Sequence, residues 1–99
     1  LMKSITIEEM KKQLSTITLI DIRDNYKYII GKIPTAINIP MNFLLVNPEN
    51  YLKKNQKYYI YCEYGTRSEK LCNKLSNLGY DVVNVIGGYN EYKLSNHRT

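Results

Sequence analysis

The stretch from Tyr58 to Leu78 constrains the fold of this chain more than any other. Tyr58-Tyr59-Ile60-Tyr61 is an apolar, strand-forming run. Cys62-Glu63-Tyr64-Gly65-Thr66-Arg67 follows as a tight loop, and an amphipathic run over 68–78 continues as a helix. A loop placed this way can aim its backbone N–H groups at one point, and the first helical turn adds unpaired donors and a partial positive charge. The cysteine closing the strand faces that point. The stretch therefore reads as an anion cradle with a thiol at its floor.

The rest of the chain repeats the alternation of strand and helix. Thr6-Ile7-Glu8-Glu9 fits a capping box, and Ile7, Met10 and Leu14 recur at helical spacing, predicting a helix over 7–14 behind a brief strand at 4–6. Residues 17–22 form a nearly continuous apolar run, the mark of a strand buried on both faces of a parallel sheet. A short helix around 26–30 breaks at Gly31, a strand over 36–39 stops at Pro40, and helical turns follow at 41–46 and 48–52. A last strand at 81–86 and a helical turn at 89–94 complete a count of five strands and about five helices. The expectation is one α/β domain over 1–99, with Leu1 an appended residue ahead of Met2 and 95–99 a frayed tail.

Composition narrows the functional classes. Apolar residues at 43% and charged residues at 23% are ordinary globular values. No stretch approaches the roughly 20 apolar residues of a membrane span, and no apolar signal core opens the chain, so a cytoplasmic setting is expected. The formal charge of +5 is dispersed, with only Lys53, Lys54 and Lys57 clustered, which reads as a solvated basic surface that draws small anions, with no nucleic-acid partner. Two cysteines, Cys62 and Cys72, are not expected to pair in a chain of this kind. Cys72 falls among Leu71, Leu75 and Leu78 and reads as a buried hydrophobe in preference to a resolving thiol, whereas Cys62 lacks such apolar company. His97 is the only histidine and lies in the tail, which argues against a cysteine–histidine pair, and no metal or cofactor site is indicated.

Several segments taken together resemble a known family. They are Asp21-Ile22-Arg23 after a strand, the run Gly31-Lys32-Ile33-Pro34-Thr35-Ala36-Ile37-Asn38-Ile39-Pro40, the loop Cys62 to Arg67 followed by Ser68, Leu78-Gly79-Tyr80, and Gly87-Gly88. In this order they resemble a single-domain rhodanese, from about Leu19 to Tyr92. The resemblance implies an α/β rhodanese-like fold, a five-stranded mainly parallel sheet with helices on both faces. It also implies a sulfurtransferase whose cysteine, at the position of Cys62, takes a sulfane sulfur from a small anionic donor such as thiosulfate, holds it as a persulfide and passes it to cyanide or a thiol. No cofactor is implied, and a sulfur-relay protein can stand as partner. The chain departs from the family pattern at Lys27, where a glutamate is usual, Lys32 (histidine), Thr35 (glycine) and Tyr92 (tryptophan). Lys27 puts the donor preference at issue if it lies near the mouth of the site.

Sulfur transfer needs a thiolate, and a free cysteine ionises only near pH ~8.5, so inward N–H groups and a nearby guanidinium must favour the anion. Gly65 gives the loop the freedom that a tight concave turn requires. Arg67 either braces loop carbonyls or reaches the donor. Ser68 either caps the helix or gives its hydroxyl to the loop. Glu63, Tyr64 and Thr66 complete the candidate loop, with Glu63 and Tyr64 either touching donor or acceptor or simply solvated. Asp21 and Arg23 are candidates for a supporting role, read as a buried carboxylate and its ion-paired arginine. Two other functions compete. A cysteine-dependent phosphatase or arsenate reductase uses a C-x5-R loop, whereas Cys62 and Arg67 enclose four residues. A non-catalytic rhodanese-like module, for binding or for carrying a persulfide, is the second.

Overall fold

In the computed structural model the described residues are 2–98; Leu1, read above as appended, and Thr99, the end of the expected tail, lie outside them. Five strands, β1 (Lys3–Ile5), β2 (Leu19–Asp21), β3 (Ile37–Asn38), β4 (Lys57–Tyr61) and β5 (Asp81–Val85), form one sheet in the order β1-β5-β4-β2-β3. Every pairing is parallel, so the sheet is wholly parallel where the resemblance implied mainly parallel. Helices α1 (Ile7–Lys12), α2 (Asn25–Ile30), α3 (Met41–Val46), α4 (Thr66–Asn77) and α5 (Gly88–Ser95) alternate with the strands, and a single 3-10 turn spans Pro48–Asn50.

Strand alternation sorts the apolar residues into two cores. Ile20, Ile22, Tyr58, Ile60, Cys62 and Val82 meet Leu44 of α3 and Leu71, Cys72 and Leu75 of α4 on one face. Leu19, Tyr61, Val83 and Val85 meet Ile7 and Met10 of α1, with Tyr28, Tyr89 and Tyr92 of α2 and α5, on the other. Each fully buried aliphatic side chain contributes about 1.5–3 kcal/mol. Helix α1 begins with the expected capping box: Thr6 Oγ1 accepts from Glu9 N at 3.2 Å, and Glu9 Oε1 accepts from Thr6 N at 3.3 Å. These bonds, the backbone one first, hold the Glu9 carboxyl below its ordinary range.

Some boundaries differ from the sequence reading. Helix α1 ends at Lys12, short of residue 14. Strand β2 covers three residues of the apolar run, although its ladder continues beyond, with Ile22 N donating to Tyr61 O at 3.0 Å and Met41 N to Ile22 O at 3.0 Å. Helix α5 includes Ser95, and Arg98 pairs with Glu91 at 2.5 Å. No helix among the described residues is long and apolar enough to cross a membrane.

The strand order places the site. From β2 the chain moves outward to the neighbouring β3, and from β4 it moves the other way to β5. The connections leaving the C-terminal ends of β2 and β4 therefore diverge, which opens a crevice at this edge of a parallel sheet.

Candidate active site

The loop after β4 occupies that crevice. Cys62 continues the alternation of Tyr58 and Ile60, so its side chain drops toward α4 and is only 4% exposed. This corrects the reading that Cys62 lacks apolar company. Two backbone amides donate to its sulfur, Gly65 N at 3.1 Å and Ser68 N at 3.3 Å, and Ser68 Oγ lies 3.3 Å away.

Backbone geometry explains why the amides face inward. Gly65 has φ +90 and caps α4 in the left-handed region, where a Cβ would also sit 2.7 Å from Gly87 N. On the outer side of the loop, the first turn of α5 takes up the carbonyls: Tyr89 N donates to Cys62 O and Asn90 N to Glu63 O, each at 2.9 Å. Gly88 permits that approach, because a Cβ there would collide with the Cys62 carbonyl oxygen. With carbonyls turned to α5 and amides to the thiol, the loop presents a concave, positively polarised surface.

Ser68 sits in the first turn of α4 and does not cap it. Its hydroxyl donates to Asn84 Oδ1 at 2.6 Å and also lies 3.2 Å from Gly65 O, so of its two expected roles the hydroxyl contact with the loop is the one found. Asn84, a buried residue of β5, went unmarked in the sequence because a polar residue within an apolar strand carries no local signal of what it will meet.

Asp21, Tyr61, Arg23 and Glu63 share the opposite parity and meet on the other face. Arg23 forks onto Asp21, with Nη2 2.7 Å from Oδ2 and Nε 3.1 Å from Oδ1, while Tyr61 Oη donates to Oδ2 at 2.6 Å. Arg23 Nη2 donates to Gly31 O at 2.6 Å and Nη1 to Glu63 at 3.2 Å. Its guanidinium lies over the Tyr89 ring, 4.1 Å from the centroid. Burial opposes the charge on Arg23, but the hydrogen bonds and the negative charge of Asp21, then Glu63, outweigh it and raise its pKa. Burial first, then the bond to Asp21 and its charge, push the Tyr61 phenol well up, so it remains a donor. Arg23 is thus the brace of the loop, acting through Glu63.

The Arg67 side chain makes no hydrogen bond or ion pair among the described residues. It lines, with Ile22, Asp24, Lys27, Tyr64 and Thr66, a cavity of about 210 Å³ at whose base lies Cys62. Lys27 therefore does stand at the mouth. Cys72 is fully buried, and burial, with the nearby Cys62, pushes its thiol up to about 12, as befits a core residue. Both cysteines are free, and among the described residues no cluster of three His, Cys, Asp or Glu could hold a metal.

Residues 6–95 match the model of the rhodanese-like domain. The chain belongs to the rhodanese-like family. Among solved structures, this rhodanese-like chain is similar to a rhodanese-like domain protein from Staphylococcus aureus, with a TM-score of 0.81 and 38% identity over 92% of this chain and 91% of that one. The putative sulfurtransferase YtwF of Bacillus subtilis is 33% identical over 87% of this chain and 85% of its own. The adenylyltransferase and sulfurtransferase uba4 of Ogataea parapolymorpha is 30% identical over 89 residues, which are 89% of this chain and only 23% of that much longer protein.

Proposed function

We propose that this rhodanese-like protein is a sulfurtransferase in which Cys62 carries a sulfane sulfur as a persulfide. The observation that carries the reading is the placement of Cys62 Sγ within 3.3 Å of two loop amides at the floor of a small cationic cavity. In the first half-reaction the Cys62 thiolate attacks the outer sulfur of a donor such as thiosulfate. The donor's S–S bond breaks, and sulfite leaves with the electron pair and two negative charges. The amides that solvate the thiolate remain to solvate the single negative charge of the persulfide. In the second, cyanide or a thiolate attacks the outer sulfur, and the electron pair returns to Sγ. Covalent storage between two half-reactions implies ping-pong kinetics.

Arg67 and Lys27 serve as the donor's counterions, since neither is committed elsewhere in the described chain. The similarity to uba4, whose name pairs adenylyl and sulfur transfer, supports a sulfur-relay protein as the supplier or recipient, and a cytoplasmic setting fits such a relay.

The test is steady-state transfer from thiosulfate to cyanide. Parallel double-reciprocal lines, abolition in Cys62→Ser, and a larger loss in Arg67→Ala than in Cys72→Ser are expected. Hydrolysis of an aryl phosphate that depends on Cys62 overturns the reading in favour of a phosphatase.

A further inference from the structure

Helix α2 turns its apolar side outward. Tyr26, Ile29 and Ile30 recur at helical spacing and form one stripe, the pattern by which a helix usually meets a core. Yet no residue of α2 is buried, and these three are 60%, 72% and 83% exposed. The helix is held from its other side. Tyr28 packs against the core shared by α1 and α5, and its Oη donates to Ala36 O at 2.6 Å. Asn25 Nδ2 donates to Asn38 Oδ1 at 3.1 Å, and Arg23 Nη2 holds Gly31 O at 2.6 Å. The stripe has no part in packing the domain, and a contiguous apolar patch of this kind marks a surface that meets another molecule.

The surroundings of the stripe select the occupant. Ile30 shares the wall of an open depression of about 320 Å³ with Lys27, Tyr89 and Lys93. Arg23 and Glu63, also in that wall, are committed to each other and to Asp21 and Gly31 O. The charges left there are the ammonium groups of Lys27 and Lys93, whose side chains form no hydrogen bond or ion pair among the described residues. Lys93 Nζ stands over the Tyr89 ring, 5.1 Å from its centroid, and Lys32 Nζ over the Tyr28 ring at 4.5 Å. The exposed carboxylate of Asp24 stands at the N-cap, the far end of α2 from Ile30. A second copy of this chain would bring the same lysines face to face across a two-fold axis, on molecules that each carry +5. A lipid surface covers protruding side chains but sends nothing into a depression. An acidic protein segment with apolar side chains matches the stripe, the concavity and the charge together.

We propose that the outer face of α2, with the adjoining depression, is a docking surface for a partner protein whose binding segment interleaves carboxylates with aliphatic or aromatic side chains. The apolar groups of that segment cover Tyr26, Ile29 and Ile30, and one of them enters the depression against Tyr89. Its carboxylates pair with Lys27 and Lys93. The surface stands independently of the chemistry at Cys62.

The test is selection of a random-peptide display library on the full chain, followed by titration of the most enriched peptide into the protein with amide shifts read by NMR. Enriched sequences should combine Asp or Glu with aliphatic or aromatic residues, and the shifts should centre on Tyr26, Ile29, Ile30 and Lys93. Affinity should fall about tenfold in the double variant Ile29→Ser, Ile30→Ser and about fivefold in Lys93→Glu. It should stay at the wild-type level in Val46→Ser, which removes from α3 a side chain as exposed as Ile29. No enrichment, enrichment without acidic residues, shifts centred elsewhere, or unchanged affinity in the isoleucine variant or in Lys93→Glu overturns the proposal. Vesicles of phosphatidylcholine and phosphatidylglycerol that bind wild type but not the isoleucine variant would give the stripe to a membrane and overturn it as well. Self-association in sedimentation that the isoleucine variant loses would do the same in favour of a second copy.

Discussion

Asn84 Oδ1 accepts the Ser68 hydroxyl at 2.6 Å, joining the middle of β5 to the first turn of α4 directly beneath the thiol. With its proton directed at Asn84, the hydroxyl turns a lone pair toward Sγ, 3.3 Å away. Asn84→Ala leaves the buried hydroxyl without this acceptor, a loss of about 1–3 kcal/mol. Urea unfolding should show that destabilisation, and loading of Cys62 by thiosulfate should quicken, because the freed hydroxyl can turn its proton to the thiolate. A variant equal to wild type in both would remove Asn84 from the site.

Asp21 and Glu63 both pair with Arg23 but in different surroundings. Asp21 is fully buried, and Asp21→Ala strands a guanidinium whose side chain is 4% exposed, which predicts a loss of about 3–5 kcal/mol. Glu63 is partly exposed, so Glu63→Gln should lose less than about 1 kcal/mol. Chemical denaturation of the two variants checks the order, and a larger loss for Glu63→Gln would contradict the ranking of the buried Asp21 above the partly exposed Glu63 as the partner of Arg23.

Thr35 holds φ at +73, and it stands where the related family usually has glycine. A β-branched residue in the left-handed region is strained by about 1–2 kcal/mol. Glycine relieves the strain while increasing the entropy lost on folding by about 0.4–1 kcal/mol. Thr35→Gly is therefore expected to raise the thermal midpoint modestly, by a net gain of up to about 1.6 kcal/mol. A fall in the midpoint would contradict it.

Cys72 links stability to alkaline pH. Its thiol is raised from 9.0 to about 12 in the folded chain, so the unfolded chain ionises first. The stabilisation is fully present below about pH 9 and is lost as pH rises toward about 12. Unfolding free energies measured in reductant should fall with pH across this window, and less steeply in Cys72→Ala. Identical slopes would contradict the assignment.

The sequence made the strand–loop–helix unit, the two-faced burial of the sheet and the position of Cys62 readable, because each depends on residues close together in the chain. The bracing of the loop was not readable in that way. Arg67 is near Cys62 in sequence and invites a bracing role, yet the brace is Arg23, forty residues before Glu63 and brought to it by the β2–β4 pairing. Asn84 escaped notice for the same reason, since its partners come from α4 and the loop. The outward use of carbonyls by α5 likewise depends on Gly88 touching Cys62 O, although Gly87-Gly88 did signal a close backbone approach.

The most direct measurement of sulfur storage is the intact mass of the reduced protein after incubation with thiosulfate and removal of excess donor. Wild type is predicted to gain the mass of one sulfur atom, which cyanide then removes as thiocyanate, while Cys62→Ser gains none. No gain in the wild type, or the same gain in Cys62→Ser, would contradict a persulfide on Cys62.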